Sequence, residues 1–154
     1  MTCVRYRATP VGYLPVDGIV VDMDDEELVE AARDVQSEAY VPYSNYRVGA
    51  ALETADGEVY VGCNLENANY SNSLHAEEVA VAEALKDGHR DFEVVAVSSG
   101  NRDAVTPCGM CRQTLAEFCD EDFRVLCDAG EDGVREHRLG DLLPETIGPE
   151  TLGK

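Results

Sequence analysis

The chain has 154 residues, and its 44% of hydrophobic residues is enough to build one domain with a continuous apolar core. Acidic residues outnumber basic ones by 31 to 12, and the resulting net charge of −19 disfavours nucleic-acid partners. The six cysteines are too few and too unevenly spaced for a secreted disulfide scaffold, so a reducing, cytoplasmic location is expected.

The acidic composition has a second explanation, which we favour. Lysine occurs only at Lys86 and Lys154, and an acidic surface with little lysine preserves solubility in a high-salt cytoplasm. At molar salt the repulsion between charges is screened within about 3 Å, so the acidic residues tolerate one another. The charge then reports on the solvent more than on the substrate, and it predicts a halophilic source.

The first residues show no clear periodicity. Pro10 and Pro15 interrupt residues 1–21, which argues against a secretory signal or a membrane anchor there. No apolar run reaches the roughly 18 residues that a membrane span requires, so no membrane partner is expected. We interpret 1–21 as an extension, 22–147 as the domain and 148–154 as a tail.

A first helix is predicted from Asp24 to about Tyr40. Asp24 and Glu27 have the spacing of a capping box, in which each residue bonds to the backbone of the other. Apolar residues then recur at steps of four, three and four residues, at Leu28, Ala32, Val35 and Ala39. This periodicity predicts one apolar helix face.

The remaining elements alternate between strand and helix. Residues 47–63 have the pattern of a β-hairpin with a turn at Asp56-Gly57, and an asparagine-rich loop at Asn64–Ser73 follows. Next come an alanine-rich helix ending at Gly88, a strand at Phe92–Val97, a helix from Pro107 to about Cys119, a strand at Phe123–Cys127 and a weak signal at Leu139–Leu143. This order predicts an α/β fold: a three-layer α/β/α sandwich on a mixed, mostly parallel sheet.

Two titratable residues stand at the start of the alanine-rich helix. His75 and Glu77 are two positions apart, and inside a helix this spacing would place them about 200° apart, on nearly opposite faces. The pair therefore fits the first turn, where one side chain can project past the helix end while the other curls around it. This placement leaves both groups free to meet a third one.

A second pair of reactive side chains opens the next helix. Cys108 and Cys111 form a C-x-x-C motif, which by itself serves zinc sites and redox dithiols alike. In a crossover fold both helix starts lie at the same end of the sheet, so these thiols can meet His75. Three protein ligands leave the fourth tetrahedral position of a zinc ion open to water, as in catalytic sites. Glu77 would then move protons to and from that water.

These residues resemble those of a known family. H-A-E at 75–77 followed by P-C-G-M-C at 107–111 is similar to the zinc deaminase signature H-x-E…P-C-x-x-C. The segments that follow the order and approximate spacing of small cytidine deaminases are SNYRVGAAL at 44–52, VGCNLENANYS at 61–71, PCGMCRQ at 107–113 and LLP at 142–144. The resemblance covers about Leu28 to Pro144.

The resemblance implies a cytidine deaminase fold and the hydrolytic deamination of cytidine and deoxycytidine in pyrimidine salvage, with one zinc ion per chain. Glu77 would be the catalytic residue, moving protons to the pyrimidine N3 and to the departing amino group. Because a chain this short builds the site near one sheet edge, a homo-oligomer, either a tetramer or a dimer, is expected.

The resemblance also implies where the nucleoside binds. The backbone of Ala76 is expected near the base O2, and the carbonyl of Thr106 near the leaving nitrogen. Asn64 and Glu66 correspond to a pair that holds the ribose hydroxyls, and Tyr46 to an aromatic residue lining the pocket. A carboxylate at Glu66 would repel a phosphodiester at the ribose, which favours free nucleosides over polynucleotides.

The chain departs from the family pattern in two places. Many compact members have a third cysteine at the position of His75 and an arginine at the position of Glu78. With His75 as a ligand, two thiolates neutralise Zn²⁺ without that arginine, and Arg112 is expected to donate to a thiolate. At the second departure, Ile147 stands where some members place an aromatic residue that reaches a neighbouring subunit, which weakens the case for a shared pocket.

Other functions remain open from the residues alone. The motif CGMC could cycle as a redox dithiol or hold a purely structural zinc ion. Within the deaminases, the substrate could be another cytosine nucleoside, such as an antibiotic, or a nucleotide. A nucleotide enzyme should carry basic residues for the phosphate, and residues 44–73 contain only Arg47.

Overall fold

The computed structural model of the chain, which describes residues 23–154, has one five-stranded sheet with helices on both faces. The strands are β1 (Gly49–Thr54), β2 (Val59–Cys63), β3 (Phe92–Ser98), β4 (Arg124–Asp128) and β5 (Val134–Arg138). The helices are α1 (Asp25–Val35), α2 (Ala76–Lys86), α3 (Gly109–Leu115) and α4 (Leu139–Leu142), with short 3₁₀ turns at Gln36–Glu38, Tyr70–Asn72, Gly130–Asp132 and Pro149–Leu152. The predicted N-terminal extension lies outside the described residues.

The strands pair in the order β2-β1-β3-β4-β5, so the predicted mixed sheet is confirmed. Its predicted mostly parallel character needs correction, because only β3 and β4 run parallel and the other three pairs are antiparallel. The strand order explains the difference. Strand β1, which forms a hairpin with β2, also pairs with β3 and runs antiparallel to it. A second hairpin, formed by β4 and β5, places β5 at the other edge of the sheet.

The pairing register brings one end of each of the first four strands to the same edge of the sheet. Gly49 at the start of β1 lies opposite Cys63 at the end of β2 and Ser98 at the end of β3, while Val97 pairs with Cys127 near the end of β4. The segments that enter β1 and leave β2 and β3 therefore emerge together. All of the predicted site residues belong to these segments or to the two helix starts that follow them.

Helix α1 covers one face of the sheet. The predicted capping box is confirmed, with the Glu27 N–H donating to Asp24 at 2.9 Å and the Asp24 N–H donating to Glu27 at 3.1 Å. The core on this face consists of Leu28, Val29, Ala31 and Ala32 against Ala51, Val94, Ala96 and Leu126. The helix ends at Val35 and not near Tyr40, because Tyr40 forms a bridge with Leu65 beside the sheet.

Helices α2 and α3 cover the opposite face. The core there includes Ala76, Ala80, Val81, Ala84 and Leu115 packed on Ala50, Leu52, Val95, Val97 and Val125. Helix α2 lies so close to β2 that a Cβ atom at Gly62 would be 2.3 Å from the Ala76 carbonyl oxygen. Only glycine allows this approach. The start of α2 is thereby fixed against the end of β2.

Two sequence predictions on this half of the chain were wrong. Helix α3 ends at Leu115 and not near Cys119, since Ala116–Phe118 turn away into the loop before β4. Strand β5 was missed because its sequence, VREHR, has one apolar residue and four charged or polar ones. Such a strand is typical of a sheet edge, where charged residues oppose pairing with other chains.

A buried carboxylate ties α1 to the sheet edge that carries the site residues. Asp128, at the end of β4, accepts hydrogen bonds from Nε and Nη2 of Arg33 at 2.7 and 2.6 Å and from the Ser98 hydroxyl at 2.6 Å. The Arg33 guanidinium and these bonds lower the pKa of Asp128 to about 2. The ends of β3 and β4 are therefore cross-linked by an ionised side chain at neutral pH.

Within residues 23–154 no helix has the length and apolarity that crossing a membrane requires.

Candidate metal centre and active site

The two helix starts singled out in the sequence meet in the structure. His75 is the N-cap residue of α2, and Cys108 is the N-cap residue of α3. The His75 Nδ1 atom lies 3.2 Å from the Sγ of Cys108 and 3.2 Å from the Sγ of Cys111, and the two sulfur atoms are 3.7 Å apart. One imidazole nitrogen and two thiols thus form a compact triangle.

The size of this triangle fits a tetrahedral zinc ion. Zinc bonds of roughly 2.0 Å to nitrogen and 2.3 Å to sulfur imply N···S and S···S separations of roughly 3.5 and 3.8 Å. The observed separations of 3.2 and 3.7 Å come close to these values before any metal is placed. Across the described residues, His75, Cys108 and Cys111 form the one group of three or more such side chains with this convergence.

Glu77 lies beside the triangle and is buried, with 5% of its surface exposed. Burial raises the pKa of its carboxyl group, although hydrogen bonds to its own backbone and to the Cys111 thiol oppose the shift. Burial, together with the Glu77 charge, also raises the pKa of the Cys111 thiol. A divalent cation would reverse this shift, because a coordinating thiol is deprotonated. A bound cation would therefore offset the cost of ionising this buried thiol.

A short backbone ladder brings the predicted ribose-binding residues next to His75. Leu65 pairs with Leu74 through two hydrogen bonds of 3.0 and 2.9 Å, and it also bridges to Tyr40. Asn64 and Glu66 flank Leu65, and Leu74 immediately precedes His75. The N-x-E segment and the metal triangle are thus connected by adjacent residues.

Asn64 and Glu66 each hold the loop that carries Tyr46. The Asn64 side chain accepts from the Val48 N–H at 2.9 Å and donates to the Tyr46 carbonyl at 2.8 Å. The Oε2 of Glu66 accepts from the backbone N–H groups of Tyr43 and Ser44 at 2.8 and 3.2 Å.

Hydrogen bonds to the Ser44 side chain and to these N–H groups keep the pKa of Glu66 below its usual value. Both of these backbone bonds engage the same carboxylate oxygen, Oε2. Tyr46 itself is half-buried and lies three residues before the start of β1.

The other predicted residues lie around the two helix starts. Ala76 is the first residue of α2 and is fully buried. Arg112 donates to the Thr106 hydroxyl at 2.9 Å, to the Pro107 carbonyl at 2.7 Å and to the Leu142 carbonyl at 2.8 Å. The guanidinium was expected to reach a thiolate, and the contacts found instead hold the loop that enters Cys108.

No role was predicted for Glu78, and the structure gives it specific contacts. Its carboxylate accepts from the His75 backbone N–H at 3.2 Å and from the Thr114 hydroxyl at 3.3 Å. The spacing of an N-cap residue and a glutamate three positions later was the available signal, as at Asp24 and Glu27. Ile147 remains exposed, and its carbonyl accepts from the Gln113 side chain at 2.9 Å.

Comparison with known proteins agrees with this site. Residues 22–127 match the model of the cytidine and deoxycytidylate deaminase zinc-binding region. A cytidine deaminase of Sporosarcina psychrophila is 41% identical to this chain over 130 residues, which cover 84% of this chain and 96% of the relative.

Solved structures of cytidine deaminases also resemble this chain. The crystal structure of cytidine deaminase from Burkholderia pseudomallei superimposes with a TM-score of 0.77 at 41% identity, covering 81% of this chain and all (100%) of that one. For the cytidine deaminase of Mycobacterium tuberculosis the TM-score is 0.73 at 38% identity, covering 82% of this chain and 99% of that one.

We predict that the purified protein carries one zinc ion per chain. Cys111→Ala should lose it, since zinc sites in proteins use three or four protein ligands and this variant keeps two. Elemental analysis by mass spectrometry after dialysis measures the content. Cys119→Ala, at a half-buried thiol just beyond α3, is the matched control and should keep its zinc. Full zinc occupancy in Cys111→Ala would contradict the assigned ligands.

Proposed function

The chain belongs to the family of cytidine and deoxycytidylate deaminases and catalyses zinc-dependent deamination of cytidine, and from this premise we propose a role for each residue of its site. The observation that carries the assignment is the convergence of His75, Cys108 and Cys111 beside the buried Glu77. His75 Nδ1 and the two thiolates would hold the zinc ion. The substrates are cytidine and deoxycytidine, and the products are the uracil nucleosides and ammonia.

Glu77 is the catalytic residue in this proposal. A zinc ion held by the three donors would supply Lewis-acid chemistry that favours ionisation of the attacking water. Glu77 transfers one proton of that water to N3 of the pyrimidine and the second to the amino group on C4. The oxygen bonds to C4, the C4–N4 bond breaks, and ammonia leaves. Burial suits Glu77 to this exchange, because a raised pKa makes its carboxylate a stronger proton acceptor.

The nucleoside lies between the sheet edge and the metal in this proposal. Asn64 and Glu66 bind the ribose hydroxyls, with Glu66 using the oxygen that the loop does not occupy. Tyr46 packs against the nucleoside. The backbone N–H of Ala76 donates to the base O2, and the Thr106 carbonyl accepts from the leaving amino group.

The contacts of Arg47 support a free nucleoside over a nucleotide or a polynucleotide. It is the only basic residue in 44–73, and its Nη1 donates to the Ser37 and Ala39 carbonyls at 2.8 Å each. A guanidinium held by the backbone in this way is poorly placed to neutralise a phosphate. The ionised Glu66 and the net charge of −19 also oppose phosphate groups.

We place the enzyme in pyrimidine salvage in the cytoplasm of a halophile. The described cysteines are all free, which agrees with a reducing compartment. Deamination of free nucleosides is a salvage reaction, since it returns cytosine nucleosides to the uracil pool. The acidic surface agrees with high intracellular salt.

A homo-oligomer is proposed because large apolar side chains remain exposed around the site. Those exposed by 44% to 71% are Tyr40, Tyr43, Leu65, Tyr70, Leu74, Met110 and Ile147. Most of them belong to the segments that surround the metal triangle. Exposed apolar residues gathered in one region mark an interaction surface, and a second copy of the chain is the proposed partner.

We predict that Glu77→Gln lowers kcat for cytidine by about 10³-fold or more, because the amide cannot carry the two protons. The loss of absorbance as cytidine becomes uridine measures the rate, and elemental analysis should show zinc retained. Glu117→Gln, an exposed residue just beyond α3, is the control and should remain active. A redox or purely structural role for the CGMC motif would leave any activity of Glu77→Gln unchanged.

We predict that kcat/KM is highest for cytidine and deoxycytidine and about 10²-fold or more lower for cytidine monophosphate and an oligonucleotide, because Glu66 repels their phosphates. Initial rates on the four substrates, at low and at molar salt, test this order. If the enzyme is halophilic, activity and folding persist in molar salt and decline at low salt. Comparable rates on the monophosphate would contradict the assignment to free nucleosides.

We predict a dimer or a tetramer in solution, because water disfavours the exposed apolar surface. Light scattering coupled to size-exclusion chromatography measures the mass, and Leu74→Glu should shift it toward the monomer. A monomeric mass for the unmodified chain at micromolar concentration and molar salt would contradict the proposed interface.

A further inference from the structure

The side chain of Glu78 connects the two helices that carry the metal-binding residues. Its Oε2 accepts from the backbone N–H of His75 at 3.2 Å, within the first turn of α2. Its Oε1 accepts from the hydroxyl of Thr114 at 3.3 Å, on α3. Glu78 is half-buried, and both of its carboxylate oxygens are engaged. It is therefore more than part of the acidic surface.

Each partner of Glu78 is coupled to a metal-binding residue. The first bond fixes the backbone of His75 itself, whose imidazole is one corner of the triangle. Thr114 lies three residues after Cys111, so the two side chains share one face of α3 on successive turns. One carboxylate thus spans the gap between the helix that supplies nitrogen and the helix that supplies sulfur.

The charge of the site permits an anion at this position. Zn²⁺ bound by two thiolates and a neutral imidazole carries no net charge, so Glu78 does not face a negative cluster. The partial positive charge at the start of α2 attracts the carboxylate. With three thiolates the centre would be negative, and an anion at this point would be repelled. Glu78 therefore suits a site in which His75 is the third donor.

We propose that Glu78 is a positioning residue that holds His75 against the thiols of α3 and thereby slows the loss of zinc. The proposal rests on the proposed zinc site but assigns a new role within it. Residues that orient metal ligands typically change metal affinity or activity by about 10–100-fold when they are removed. Removal of the Glu78 side chain, and with it both hydrogen bonds, should therefore speed zinc release by about tenfold or more.

A purely structural role makes a different prediction, and the chain contains a matched control. Glu27 forms the same type of bond in α1, accepting from the Asp24 N–H at 3.1 Å on the opposite face of the sheet. If Glu78 only caps its helix, then Glu78→Ala and Glu27→Ala should lower the melting temperature similarly and leave zinc release unchanged. If Glu78 positions His75, only Glu78→Ala should speed the release.

The experiment measures zinc release into an excess of a chromogenic chelator from proteins loaded with one zinc ion per chain. We expect release from Glu78→Ala to be about tenfold faster than from the unmodified chain, release from Thr114→Val to be intermediate, and Glu78→Gln and Glu27→Ala to remain near the unmodified rate. Thr114→Val removes only the bond between the helices, so it tests the proposal even if Glu78→Ala folds poorly.

Two outcomes would overturn the proposal, and they are distinguishable. Equal release rates from the unmodified chain, Glu78→Ala and Thr114→Val would remove the positioning role while leaving the zinc site and the deaminase assignment intact. An unmodified chain that binds no zinc would instead overturn the proposed function, and the role of Glu78 with it.

Discussion

The site depends on the meeting of two helix starts at one edge of the sheet. Separately, His75 is the N-cap residue of α2, and Cys108 and Cys111 are a dithiol pair at the N-cap and in the first turn of α3. Their separations of 3.2 and 3.7 Å create a metal site only because the strands deliver both helices to the same point. Close packing maintains this arrangement, since the start of α2 approaches β2 so closely that a side chain at position 62 would not fit.

Several side chains at this edge hold the backbone around the site. Asn64 and Glu66 both bond to the backbone of the loop around Tyr46, and Arg112 bonds to the loop that enters Cys108. Groups fixed in this way lose little freedom when a substrate binds, so the site is organised in advance. A single substitution at any of them is expected to disturb both the loop and the ligand contacts.

The sequence predicted the chemistry better than the sheet. Residue type and spacing are local, so the capping box at Asp24 and the candidate ligands His75, Cys108 and Cys111 could be identified without the fold. Strand pairing is not local. The hydrophobic pattern of β3 shows neither which strands lie beside it nor whether they run parallel or antiparallel to it. Strand β5 was not predicted because its sequence is mostly charged, and only its pairing with β4 makes it a strand.

The contacts of Glu78, Asn64 and Arg112 could not be predicted for a related reason. Each of these side chains makes at least one bond to a distant segment that only the folded chain brings near, as when the Glu78 carboxylate accepts from Thr114, 36 residues away along the sequence. The sequence contained only the local contact, such as the one between His75 and Glu78, three residues apart. Local spacing thus indicated a cap, and tertiary structure turned it into a bridge between helices.

The coordination of the metal by one nitrogen and two sulfur atoms is the central claim, and X-ray absorption at the zinc edge measures it directly. The site predicts two sulfur atoms at about 2.3 Å, one imidazole nitrogen at about 2.0 Å and one light atom at the remaining position. His75→Cys should replace the nitrogen signal with a third sulfur. A spectrum of the unmodified protein with four sulfur atoms, or with none, would contradict the site on which the proposed function rests.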